Sequence, residues 1–233
     1  MRFDWSTFDV SKLDWSPLWI SCKTAALSTL ITFMLGLWAA WRLCKASPRV
    51  NSILDGVFTL PMVLPPTVVG VVLLLLFGKN SFFGQLLLSL GTQVVFSWSA
   101  TVIAAVVVTL PLMYRTARGA FEQLDQNLLS AARTLGLSEI SVFFRIALPL
   151  SWPGVAAGAV LAFARALGEF GATLMLAGNI AGRTQTMPIA IYFAVQGGKN
   201  ELVLFWVGII VILSFTVIAI MNHIAKGKRR TGA

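Results

Sequence analysis

Arg165 and Glu169 stand four residues apart inside a long apolar run, so on a helix they would share one face and lie within reach of an ion pair. Charge at such a depth is costly unless it is paired or wet. The pair reads in two ways. It is either an ion pair that supports the fold, or a pair lining or gating a passage, a conformational latch in which Glu169 partly cancels any attraction of Arg165 for an anion. A second interruption lies at residues 60–70, LPMVLPPTVVG, where Pro61, Pro65 and Pro66 remove amide donors about 20 Å into the apolar run that starts at residue 53. Broken helices at that depth are tolerated where they line a cavity or are covered by protein. Pro65 and Pro66 therefore make either a packing kink or, with Thr67 and the nearby backbone, the lining of a way through for a solute.

Other chemistry is hard to find. There is no G-x-x-x-x-G-K-[ST] phosphate loop, H-E-x-x-H, paired-cysteine motif or Ser-His-Asp set, so no catalytic residue and no metal site is expected. ATP hydrolysis would have to come from a separate chain, and this one is expected to bind no cofactor. His223 reads as a helix-end residue. Cys22 and Cys44 fall near opposite ends of one apolar run, about 33 Å apart on a helix, too far for a disulfide.

The elements that must hold these residues follow from composition. The chain is 57% apolar and only 12% charged over 233 residues, with a mean hydropathy of +0.82. Such a chain takes lipid as its solvent, and lipid favours helices that satisfy their own backbone. The reading is an all-α integral membrane protein of about five transmembrane helices, at residues 18–43, 53–77, 94–114, 152–176 and 202–225. Residues 81–90 and 186–195 are apolar but too short to cross, and either could raise the number of spanning helices only as an extra short piece. Gly154 and Gly158 form a GxxxG step in the fourth run, for close packing within the subunit or across a dimer interface.

The net charge of +9 does not point to nucleic acid, because the basic residues sit at the ends of apolar runs rather than on one surface. Arg42, Lys45, Arg49, Arg115, Arg118, Arg133, Arg145, Lys226, Lys228, Arg229 and Arg230 fall on one side, against Arg2, Lys12, Lys23, Lys79, Arg183 and Lys199 on the other. That bias places the C-terminus in the cytoplasm and the N-terminus outside. The start of the chain lacks the basic region and cleavage site of a removable signal peptide. One domain is expected: an outer tail at 1–17, a transmembrane domain at 18–225 and a basic cytoplasmic tail at 226–233.

Residues 114–150 form the one long polar segment. Phe121, Leu124, Leu128, Ala132 and Leu135 recur at helical spacing, which predicts an amphipathic helix outside the bilayer, stopped by Gly136. A second short helix at 139–147 should end at Leu148-Pro149. The hairpin either rests on the membrane surface or docks a partner.

Within it, Ser130-Ala131-Ala132-Arg133-Thr134-Leu135-Gly136, followed by Phe144, Ile146, Leu148 and Pro149, resembles the EAA loop of ABC importer membrane subunits. Ser130 stands where that family's loop carries a leading Glu. Residues 161–191, LAFARALGEFGATLMLAGNIAGRTQTMPIAI, and residues 60–70 are similar to the same regions of molybdate permeases, and the likeness extends over about 21–222. Sulfate and tungstate permeases share much of both patterns.

The resemblance implies a type I ABC importer transmembrane fold in a bacterial inner membrane, with the loop at about 115–150 coupling to an ATPase through Ser130, Ala131, Ala132, Gly136, Leu148 and Pro149. It further implies a homodimer of this chain, two cytoplasmic ATPase subunits that use the ATP, and a periplasmic protein delivering a tetrahedral oxyanion. On that reading Pro65, Pro66, Thr67, Arg165 and Glu169 belong to the translocation path or its gate. Readings from other classes are a secondary transporter, for which Arg165 and Glu169 are a thin coupling set, and an intramembrane enzyme, for which no nucleophile and base are paired.

Overall fold

The structure, a computed structural model, describes residues 13–44 and 47–226, apart from the side chains of Pro48 and of residues 221–226. Most of the outer tail, the basic tail beyond Lys226, and Arg2, Lys12, Lys45, Lys228, Arg229 and Arg230 of the charge comparison lie outside the described residues. Among the described residues every element is helical. In order they are α1 (Ser16–Leu43), α2 (Pro48–Val63), α3 (Pro66–Phe77), α4 (Phe82–Ser89), α5 (Trp98–Glu122), α6 (Gln126–Thr134), α7 (Glu139–Val142), a π-helical turn (Phe143–Ala147), α8 (Leu148–Leu167), α9 (Gly171–Ala177), α10 (Met187–Gln196) and α11 (Asn200–Lys226).

Four straight stretches are long and apolar enough to cross a membrane: Ser16–Leu43, Trp98–Glu122, Glu139–Leu167 and Asn200–Ile220. A fifth crossing would use α2 and α3, but these meet at a bend of 112°. The expected single span at 53–77 is therefore two helices. Leu64, held extended at φ −74°, ψ 141° because it precedes a proline, ends α2. Pro65 then caps α3, accepting the amides of Val68 and Val69, and Pro66 occupies the first helical position, where no donor is missed.

Two further bounds differ from the hydropathy reading. The third span runs to Glu122 rather than Tyr114, because a helix does not stop where its apolar run does: Met113, Tyr114, Ala117 and Phe121 stay buried against neighbours well past the hydrophobic stretch. The fourth span begins at Glu139 and stops at Leu167, instead of running over 152–176. Leu148-Pro149 does not end a helix either. The chain passes through the π turn straight into α8, whose first turn accepts Pro149.

Packing is by small residues. A Cβ on Gly154 would lie 2.7 Å from Ala120 Cβ, and one on Gly158 would lie 3.0 Å from Thr116 Cβ, so the GxxxG step serves contact between α8 and α5 within this chain. Hydroxyls add polar ties. Thr24 and Thr101 hydroxyls lie 3.0 Å apart, joining α1 to α5, and Trp98 Nε1 donates to Thr24 Oγ1. Ser21 Oγ accepts the Met187 amide at the start of α10 at 2.8 Å. Cys22 and Cys44, on α1 and at its end, form no disulfide.

Three apolar clusters result. One gathers α1, α5, α8 and the α6–α7 hairpin around Tyr114, Phe121 and Val142. A second packs α3 and α9 on α5. The third holds α10 and α11 on α1, α5 and α8, around Trp206 and Met187.

At the seam between α3 and α9 the close contact is with backbone: a Cβ on Gly70 would fall 2.8 Å from Ala172 Cα and 2.9 Å from its carbonyl oxygen. Backbone cannot yield as a side chain does. Gly70→Val should therefore lower unfolding stability in detergent by about 1–3 kcal/mol, the usual cost of overpacking. Gly56→Ala, in open space on α2, should cost nothing measurable or stabilise slightly by removing a helix-interior glycine. Equal effects of the two changes on thermal unfolding would refute the packing described.

Candidate functional site

Two places gather the residues singled out above. The first is the junction where α8 stops. After Leu167 the chain turns through Gly168 and Phe170 and restarts as α9 at Gly171. Glu169 sits in the gap, 2% exposed, and its Oε1 accepts the Ala172 amide at 2.9 Å, so its side chain meets one of the donors that a helix start leaves open. Its other oxygen lies 2.8 Å from Arg165 Nη1, a charge contact outside hydrogen-bond alignment. The expected pair is present. It bridges a helix end instead of lying on one continuous helix.

The α2–α3 break comes to this same point. A Cβ on Gly171 would stand 3.1 Å from the Thr67 amide nitrogen and 3.2 Å from Pro66 Cβ, so α3 and α9 start side by side and run on together. Their positive dipole ends converge. Pro66, Thr67, Arg165, Gly168, Glu169, Phe170 and Gly171 line a cavity of about 270 Å³ here. Arg165 also borders a neighbouring cavity of about 170 Å³ with Pro61, Met62, Leu64, Pro66, Val108 and Leu112. The structure thus brings Pro66, Thr67, Arg165 and Glu169 together, with Pro65 exposed beside them as the cap of α3. Arg165 keeps 37% of its side chain exposed towards this space while its partner is buried. The arrangement can meet a small anion with one guanidinium, held near neutral by one carboxylate, while the Val68, Val69 and Ala172 amides at the two helix starts are already taken.

The second place is the α6–α7 hairpin. Asp125 caps α6 by accepting the Asn127 amide at 2.8 Å. Gly136, at φ +83°, then closes the helix: its amide reaches Arg133 O and the Leu137 amide reaches Ala132 O, a Schellman arrangement that needs a left-handed residue at this position. Arg133 Nε pairs with Glu139 Oε1 at 2.7 Å across the turn. The base of the hairpin rests on an aromatic cluster, with Trp41 5.4 Å from Phe121 and 5.2 Å from Phe143 between ring centroids.

The five-residue stripe expected from spacing is not one face. Phe121 belongs to α5 and Leu124 to the link after it, because α5 ends at Glu122 and α6 starts afresh at Gln126. Phe121 and Ala132 are buried, whereas Leu128 is exposed and Leu135 is 83% exposed. Ser130, Ala131 and Gly136 are exposed on the hairpin, so they can be touched. Ala132, 5% exposed, cannot: it packs inward with Leu129. Leu148, half-buried, and Pro149, exposed, lie in the first turn of α8 beyond the π turn. Phe144, one of the residues that carry the loop resemblance, is 61% exposed, and Ile140, which the sequence reading did not single out, is 72% exposed.

Residues 32–230 match the family described as "Binding-protein-dependent transport system inner membrane component". The chain is 44% identical over 190 residues to the molybdenum transport system permease protein ModB of Escherichia coli (strain K12), covering 80% of this chain and 83% of that one. It is 46% identical over 182 residues to the protein of the same name from Haemophilus influenzae, covering 78% and 80%. Among solved structures it superposes on a chain of a bacterial alginate ABC transporter, crystallised with a periplasmic protein bound to alginate pentasaccharide, with a TM-score of 0.76 at 15% identity, covering 100% of this chain and 85% of that one. At that identity the likeness speaks for the fold alone.

The burial asymmetry of the Arg165 and Glu169 pair gives a test. Arg165→Met leaves a buried carboxylate without its cation and should destabilise the chain by roughly 2–4 kcal/mol. Glu169→Gln keeps an acceptor for the Ala172 amide and leaves a guanidinium that water can reach, at a cost of under about 1 kcal/mol. Thermal unfolding of the two variants in detergent checks the order; a reversed order would show that the guanidinium, not the carboxylate, is the group that needs its partner.

Proposed function

The chain belongs to the family of binding-protein-dependent transport system inner membrane components, and on that premise we propose that it is the permease subunit of an ATP-driven importer that carries molybdate across the inner membrane. The observation that carries this reading is identity above 40% with molybdenum transport permeases over about four-fifths of the chain.

The cavity beside Arg165 suits the cargo. A tetrahedral oxyanion bearing two charges needs compensation in a medium of low dielectric, and the partly exposed guanidinium offers part of it. Glu169 limits the attraction. A passage that held a dianion too firmly would not release it, so a nearly neutral lining favours transit over storage. Thr67, exposed on the first turn of α3, supplies a hydroxyl to an anion partly stripped of water, while Pro65 and Pro66 keep the break open.

The hairpin is the surface offered to the ATPase. Leu128, Leu135, Ile140 and Phe144 form an apolar, exposed contact set around Ser130, Ala131 and Gly136, consistent with docking into a groove on a cytoplasmic ATPase subunit. Leu148 and Pro149 anchor its return to α8. On this reading the α6–α7 end faces the cytoplasm, a periplasmic protein delivers the oxyanion at the other end, and a second copy of the chain covers the exposed apolar side of α2 and α3, where Val63 is 81% and Leu75 is 72% exposed. ATP binding draws the two ATPase subunits together, the hairpins follow, and the passage changes the side to which it opens. The chain itself makes no covalent step.

Reconstituted with its ATPase and binding protein, the complex should take up molybdate only with ATP, and tungstate and sulfate added as competitors rank its selectivity. Uptake by the pure chain without ATP would overturn the proposal. Gly136→Val should uncouple hydrolysis from uptake by straining the left-handed turn, at about 1–2 kcal/mol, rather than by filling space, since nothing lies within 4 Å of a Cβ there. Coupled transport at the normal rate in Gly136→Val would show that the turn does not carry the motion.

A further inference from the structure

Most of α2 faces away from the protein: Ile53, Val57, Leu60, Met62 and Val63 are all exposed. Its polar and aromatic hold on α5 lies within residues 55–58, with Thr59 buried beside it and Leu64 packed at its far end. Phe58 stacks on Tyr114 of α5, with ring centroids 5.1 Å apart. One turn earlier, Asp55 Oδ1 accepts the Tyr114 hydroxyl at 3.0 Å and Arg118 Nη1 at 2.9 Å. Arg118 also donates to the Tyr114 oxygen at 2.8 Å and, through Nε, to Glu122 at 2.6 Å. Arg115 approaches the other Asp55 oxygen at 3.5 Å.

The two ends of this clasp lead to the two places already described. Nine residues beyond Asp55, about 14 Å along the helix, α2 breaks at Leu64, which lines the smaller cavity of about 170 Å³ that Arg165 also borders. Four residues beyond Arg118, α5 ends, and Asp125, the cap of the hairpin helix, follows three residues later. We propose that Asp55 is a positioning residue that fixes α2 to α5 as one body, so that displacement of the hairpin reaches the Pro65 break instead of being lost in a free helix. This rests on the transport reading above.

The energetics separate this role from a merely structural one. The Asp55–Arg115 pair, 3.5 Å apart with the arginine 55% exposed, contributes little to stability, whereas Arg118, 19% exposed, makes the close contact with an Asp55 that is 31% exposed. A carboxylate that takes a phenol and a guanidinium on one oxygen instead fixes orientation, and the planar fork of Arg118 is what lets it serve Asp55, Tyr114 and Glu122 together. Loss of Asp55 therefore changes how motion is passed on more than whether the chain folds.

The experiment compares oxyanion imported per ATP hydrolysed in vesicles containing the assembled complex, for the unaltered chain, Asp55→Asn, Asp55→Glu and Arg118→Lys. Molybdate uptake by the unaltered complex tests the transport reading by itself. Given that, Asp55→Asn should keep ATP hydrolysis within about twofold while import per ATP falls roughly tenfold. Arg118→Lys should show a smaller loss of the same kind, and Asp55→Glu should recover at least half of the ratio. An unchanged ratio in Asp55→Asn, or a parallel fall of hydrolysis and import, would overturn the proposal. If Asp55→Asn fails to assemble, a normal ratio in Arg118→Lys overturns it as well.

Discussion

A membrane helix that stops inside the bilayer leaves amides and carbonyls that no lipid can satisfy, and this chain stops two helices at the same place. The carboxylate of Glu169 makes one of those stops tenable. One oxygen takes the first reachable amide of α9 and the other stands against Arg165. At the second stop the proline pair does the equivalent work by omission, since Pro66 has no donor to lose and the carbonyl of Pro65 takes the next two amides. Once both breaks are satisfied, α3 and α9 can start together and pack along the glycine seam at Gly70 and Gly171. The cavity beside Arg165 is the space those two starts leave.

The rest of the fold serves stiffness. Glycines bring α8 onto α5 with no room for slip, and an aromatic cluster seats the hairpin between them. The π turn at Phe143–Ala147 feeds the hairpin's return directly into α8, so the chain on both sides of the hairpin is helical for twenty residues or more. A body so built transmits displacement better than it absorbs it. That is the property required of a proposed permease whose energy source is another protein.

Much of this was legible in the residues. Hydropathy located all five apolar runs, proline chemistry marked an interruption within residues 60–70, and the order of residues around Ala131 and Gly136 located the hairpin and its turn. What escaped was set by tertiary contact. Span boundaries at Tyr114 and Trp152 followed the apolar runs, but burial of Ala117, Phe121, Val142 and Ala147 continues the helices beyond them. The stop at Leu167 was written as Gly-Glu-Phe-Gly, yet Gly168 and Gly171 read equally well as packing residues in a run that is mostly apolar on both sides of the break. Which hairpin residues point outward depended on where α5 ended, a bound that periodicity cannot supply.

On the proposed function, the junction of α3 and α9 is the passage, and its access alternates with the nucleotide state of the partner ATPase. The direct measurement is the reactivity of Thr67→Cys, with Cys22 and Cys44 replaced by alanine, towards a membrane-impermeant thiol reagent applied from each side of vesicles holding the assembled complex. The account predicts labelling from the hairpin side without nucleotide and from the opposite side with a non-hydrolysable ATP analogue. Labelling that is the same in both states, or absent from both sides throughout, would contradict it.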